Sequence, residues 1–135
     1  MEQRLILIIE SDINAIAQMR RVLAGMGLKV YAVCDQEALD DQIVTLRRAG
    51  TAPSLIVARV ALPSGSGIRM LEETAENFPD AGRLLVSHHP RSLLMAAPGF
   101  ANYITNFLQA EFTDEQFRSA VERALPRATE DVVQS

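Results

Sequence analysis

The chain has 135 residues, 48% hydrophobic and 22% charged, enough for one domain around one core. Its formal net charge is −4 with charges mixed along the chain, so no basic tract marks it for direct binding of DNA or RNA. Cys34 is the only cysteine, which excludes an internal disulfide and suits a reducing cytoplasm, and no apolar run reaches the length of a membrane span.

The first four residues lead directly into Leu5–Ile9, a start that does not read as a signal peptide. This continuous apolar stretch predicts a parallel strand buried on both faces. Polar Glu10, Ser11 and Asp12 follow. Ile16, Met19, Leu23 and Met26 recur at three- and four-residue spacing and predict a helix that Gly27 stops. Residues 30–33 predict a second strand. Asp35 is placed to cap a second helix with Leu39, Ile43 and Leu46 on its inner face, and Gly50 ends it. Pro53 opens a third strand over residues 55–58, which runs up against Arg59.

The loop after Arg59 contains Ser64, Gly65, Ser66 and Gly67. It lacks the spacing and the lysine of a phosphate-cradling loop and reads as a plain turn. Ile68, Leu71, Ala75 and Phe78 predict a third helix, closed by Pro79. Residues 84–87 predict a fourth strand, residues 91–97 a helix of no more than two turns, and residues 102–105 a fifth strand. Thr113 is placed to cap a last helix with Phe117, Val121 and Leu125 facing inward. Pro126 stops it, so the domain spans residues 1–126 and residues 127–135 read as a tail or linker.

Strands alternating with helices in this way predict an α/β fold, a doubly wound five-stranded parallel sheet of order 2-1-3-4-5 in three layers. That order sets Glu10, after strand 1, beside Arg59, after strand 3. Ligands in such sheets bind beyond the carboxyl ends of the strands. A guanidinium therefore stands where a site is expected.

In order and spacing the chain resembles the receiver domains of bacterial two-component response regulators, which are flavodoxin-like. Leu5 to Asp12 match the family's opening strand and acidic cluster, and residues 53–63 match its acceptor strand and loop proline. Residues 84–87 match a strand ending in Ser or Thr, and residues 99–107 match the segment that normally ends in Lys-Pro. The resemblance implies a pocket of five parts: two acids that hold Mg²⁺, an acceptor aspartate, a Ser/Thr hydroxyl and a lysine. Here Glu10 matches the first acid and Ser11 the second, with Asp12 one position on. Arg59 stands at the acceptor position, Ser87 keeps the hydroxyl, Asn106 stands for the lysine and Phe107 for the proline.

The nucleophile, one metal acid and the lysine are thus absent. Mg²⁺ prefers an octahedral shell of hard oxygens, and a guanidinium beside Glu10 opposes it. The expectation is a degenerate receiver that is not an enzyme, needs no cofactor and binds no Mg²⁺. Arg59 is expected to form a forked ion pair with Glu10 or Asp12. Such a module acts by binding a protein partner or an output domain in signal transduction or transcription regulation. The resemblance further implies a partner or homodimer face on the short fourth helix, fifth strand and last helix, with Tyr103, Phe107 and Phe112 contributing. The alternative is a sensor of a small anion or nucleotide, with Arg59, Ser87 and Asn106 as donors. His88 and His89 read as solvated loop residues, Ser87 with His88 as no complete nucleophile–base set, and Cys34 as a packing residue.

Overall fold

The computed structural model describes residues 4–60, 66–89 and 106–126. In chain order these form β1 (Leu5–Ile9), α1 (Ile13–Gly25), β2 (Lys29–Val33), α2 (Gln36–Arg48), β3 (Leu55–Arg59), α3 (Ser66–Asn77), β4 (Gly82–Ser87), β5 (Asn106–Gln109) and α4 (Asp114–Ala124). The strands make one sheet in the order β2-β1-β3-β4-β5, and every neighbouring pair is parallel. This is the doubly wound architecture that the alternating pattern predicts. Among the described residues no helix is long and apolar enough to cross a membrane.

Side chains alternate across a strand, so each central strand feeds two cores. Leu5, Leu7, Ile9, Ile56, Ala58 and Leu85 pack on one face with Leu39, Ile43 and Leu46 of α2 and Leu71 of α3. Ile6, Ile8, Leu55, Val57, Leu84 and Val86 pack on the other with Met19 and Leu23 of α1 and with Phe117, Ala120, Val121 and Ala124 of α4. This explains why β1 and most of β3 are apolar without interruption.

The helix ends follow from local chemistry. Asp35 Oδ1 accepts the Ala38 N–H at 2.8 Å, as an N-cap should. Thr113 and Gln116 form a reciprocal capping box on α4. Gly27 has φ 76°, the left-handed conformation that ends α1 without a Cβ penalty. Gln18 donates to the Phe112 carbonyl and to Asp114, and Arg21 grips both Asp114 oxygens. These bonds from Gln18 and then Arg21 hold the Asp114 carboxyl below its ordinary value. They tie α1 to the start of α4.

Several strand bounds shift, and β2 and β4 start earlier than expected, at Lys29 and Gly82. Residues 102–105, expected to be the fifth strand, lie outside the described residues, as does the short helix expected at 91–97. The strand beside β4 is Asn106–Gln109, paired from Leu84–Asn106 to Ser87–Gln109. β3 also runs one residue longer than expected and includes Arg59.

On the α2–α3 seam, Gln36 Nε2 donates to Asp40 at 2.9 Å and to Glu73. Partial burial and then the facing Asp40 push the Glu73 carboxyl above its ordinary value. Glu73 thus binds its proton more tightly folded than unfolded. Its contribution is fully present below the unfolded carboxylate range and is lost as pH rises through the raised value. Glu73→Gln keeps an acceptor for Gln36 and removes the like charge. Its melting temperature is expected to exceed wild type by a small margin at neutral pH, and the margin should close on acidification through the carboxylate range. A variant no more stable than wild type at neutral pH would contradict this.

Candidate functional site

β1 is apolar to its end, and the chain carries the next residue, Glu10, down with it to 3% exposure. A buried carboxylate must be paired and hydrogen-bonded. Its Oε2 accepts the backbone N–H groups of Ser11 and Asp12, both at 2.9 Å. Its Oε1 accepts Arg59 Nε at 2.5 Å. Arg59 is the last residue of β3, held opposite Val86 of β4. Side-chain exposure is 20% for Arg59 and 1% for Glu10, so the pair is largely out of water. There the attraction is less screened, and leaving one charge alone is costly.

The partner of Arg59 is therefore Glu10 and not Asp12. Asp12 is exposed and caps α1, its Oδ1 accepting from Asn14 N–H at 2.8 Å and Ala15 N–H at 3.3 Å. The described contact uses Nε alone, where a two-pronged fork was expected. Arg59 Nη1 is buried and has no hydrogen-bond partner among the described residues. Ser11 is exposed and reaches Glu10 through its backbone. Ser87 is fully buried, and its Oγ accepts the His89 N–H at 3.1 Å. That hydroxyl is turned onto its own loop.

Asn106 does not join this group. It opens β5 opposite Leu84, while the level of Ser87 is reached only at Gln109. The residue beyond β5 is Ala110, whose N–H donates to the Ser87 carbonyl at 2.8 Å. A methyl thus stands in the place the resemblance reserves for an ammonium. The loss of the lysine does not depend on this register: Lys29 is the only lysine of the chain and pairs with Leu5 at the opposite end of the sheet.

Phe107 lies opposite Leu85, half-buried against the α2–α3 core. Phe112 is half-buried against the other core and stacks on Phe117 with ring centroids 5.4 Å apart. Tyr103 lies outside the described residues, as does much of the face expected to bind a partner.

Beside the ion pair is a cleft of about 270 Å³ lined by Asp12, Asn14, Ala15, Gln18, Arg59, His88, Ala110, Glu111 and Phe112. Sequence reasoning placed Arg59 at the site but missed Gln18, Ala110 and Glu111, the last two because it set the fifth strand too early. The cap at Thr113 held the missing signal. A strand ending at residue 105 would leave residues 106–112 as the loop to that cap, slightly longer than most βα loops.

The donor set does not suit a divalent cation. Both Glu10 oxygens already accept hydrogen bonds, one of them from a permanent cation, and Ser11 offers no charge. Among the described residues no three His, Cys, Asp or Glu side chains are grouped to hold a metal ion.

The same architecture occurs in solved receiver domains. The signal receiver domain of an HD domain-containing protein from Pseudomonas fluorescens superposes with a TM-score of 0.74 at 18% identity, covering 100% of this chain and 96% of that one. The chemotaxis response regulator CheY4 of Vibrio cholerae gives 0.73 at 15%, covering 92% and 100%. The receiver domain of the PhyR response regulator of Erythrobacter litoralis gives 0.72 at 19%, covering 90% and 89%. The chain therefore has the flavodoxin-like fold of response-regulator receiver domains. No family model matches it. No curated protein matches it either.

Proposed function

We propose that this chain is a non-phosphorylatable receiver-type module of two-component-like signal transduction. It is not an enzyme, binds no Mg²⁺, and works in the cytoplasm by docking a protein partner or output domain. The observation that carries this reading is the buried Arg59–Glu10 pair on a receiver fold. Phosphoryl transfer needs a nucleophilic oxygen and cations placed to neutralise the transferred group. Arg59 has no oxygen to accept a phosphoryl group. Glu10 accepts from three N–H donors, with both of its oxygens engaged. Ala110 brings no charge.

The pair also supports a fixed conformation. A receiver that switches must alternate the partners of its pocket, and here Glu10 is engaged by Arg59 and the Ser87 hydroxyl accepts from its own loop. The anion-sensor alternative fares worse. Asp12 and Glu111 share the cleft wall with Arg59, whose Nε is already engaged, so an entering anion meets carboxylates.

The test is an amide NMR titration with MgCl₂ followed by beryllofluoride. The spectrum is expected to stay unchanged at Glu10, Ser87 and Ala110. A saturable set of shifts at those positions would contradict the reading.

A further inference from the structure

At the edge of the sheet, on the side of β1 away from Arg59, β2 carries a strand face that no described residue uses. Lys29 N–H donates to the Arg4 carbonyl at 2.9 Å, and the Val33 carbonyl accepts Glu10 N–H at 3.0 Å. Both groups of a parallel-strand residue point to the same side, so Lys29, Tyr31 and Val33 turn toward β1. Val30 and Ala32 therefore turn their N–H and C=O groups away from the sheet. β2 is the end strand, and among the described residues nothing pairs with that side. The strand contains no proline. An open edge of this kind is a template for another strand.

We propose that β2 pairs antiparallel with β2 of a second copy, across a two-fold axis at Ala32, joining two sheets into one. Only outward-facing residues can exchange ladder bonds, so Val30, Ala32 and Cys34 must meet residues of the same set. Two central registers satisfy this. An axis at Tyr31 sets the Lys29 ammonium opposite apolar Val33. An axis at Ala32 sets Lys29 opposite Asp35 of the second copy, Tyr31 opposite Val33, and Val30 opposite Cys34. Lys29 is exposed, its ammonium 5.3 Å from the centroid of the Tyr31 ring, and Asp35 uses Oδ1 for its cap while Oδ2 has only the Cys34 thiol at 3.9 Å, a weak donor that an incoming ammonium would displace.

That charge pattern selects the occupant. A lysine on an edge strand usually guards against foreign strands. Here the chain's own antiparallel copy neutralises it twice, once at each end, and cross-strand opposite charges are favourable. The side chains beside this edge are half-buried Tyr31, Val30 and Ala32, so pairing also covers apolar surface.

The test is register-specific. In a Cys34→Ser background, Ala32→Cys places two thiols across the axis. Cα atoms of such a directly opposed pair lie about 5.5 Å apart, within disulfide reach. Mild oxidation should give a covalent dimer. Val30→Cys in the same background faces a serine and should remain monomeric. Sedimentation velocity of the wild-type chain should show a monomer–dimer equilibrium. Lys29→Glu should weaken it about tenfold.

Ala32→Pro removes an N–H that no described residue uses. It should abolish the dimer while the circular dichroism spectrum stays native, because edge strands accept proline. Three outcomes would overturn the proposal: a wild-type monomer at all concentrations, equal cross-linking at positions 30 and 32, or a dimer that survives Ala32→Pro. None of them bears on the Arg59 pocket, which is read by the magnesium and beryllofluoride titration.

Discussion

Arg59→Ala is expected to destabilise the protein by about 2–3 kcal/mol in urea unfolding at neutral pH. Removing one partner of a buried ion pair costs about 3–5 kcal/mol, because the other charge is left without compensation. The lower figure applies here for two reasons. Arg59 keeps some contact with water, and Glu10 retains the N–H groups of Ser11 and Asp12. The asymmetry of the pair gives a sharper expectation. Glu10→Gln leaves a guanidinium that solvent can reach, whereas Arg59→Ala strands a carboxylate at 1% exposure. Glu10→Gln should therefore cost less than Arg59→Ala, and adding Glu10→Gln to Arg59→Ala should restore part of the loss. Equal and additive losses would mean that the two groups do not interact.

Gly82→Ala is expected to be at least as damaging, by about 3 kcal/mol, for a steric reason. Gly82 opens β4, and its N–H donates to the Ser54 carbonyl at 2.9 Å. A Cβ there would lie 2.0 Å from the Ala124 carbonyl oxygen and 3.1 Å from its carbon. These are backbone atoms, so no side chain can rotate away. The last turn of α4 would have to lift from the sheet. That turn is fixed by the Leu125 N–H on Val121 and by the Arg4 guanidinium on the Pro126 carbonyl. Overpacking of this kind costs about 1–3 kcal/mol and occasionally more. An alanine variant that unfolds within about 0.5 kcal/mol of wild type would show that α4 ends elsewhere.

The same two residues show what could be read from the chain. Arg59 was legible because β3 is buried on both faces. Its apolar run fixes the strand, and the strand order then fixes what lies beside Glu10. Continuous runs and three- to four-residue periodicity likewise located β1, α1, α2 and the capped α4. Gly82 was not legible, because nothing local reports that a distant helix carbonyl will pass over it. β5 was misplaced for a different reason. The β-branched and aromatic stretch at residues 103–105 has the stronger strand propensity, yet Asn106–Gln109 makes the ladder with β4. Sheet register was decided by tertiary pairing and by the distance to the Thr113 cap. Asn106 was placed in the pocket on that account, and Ala110 was overlooked. The choice of Glu10 over Asp12 for Arg59 was hidden too, since it depends on Asp12 being taken up by the first turn of α1.

If a guanidinium has replaced the phosphoryl acceptor, the folded chain should be inert to phosphoryl donors. Intact-protein mass spectrometry after prolonged incubation with acetyl phosphate and excess MgCl₂ tests this most directly. An unchanged mass is the expected result. A gain of one phosphoryl group, mapped to a side chain beside Arg59, would contradict it.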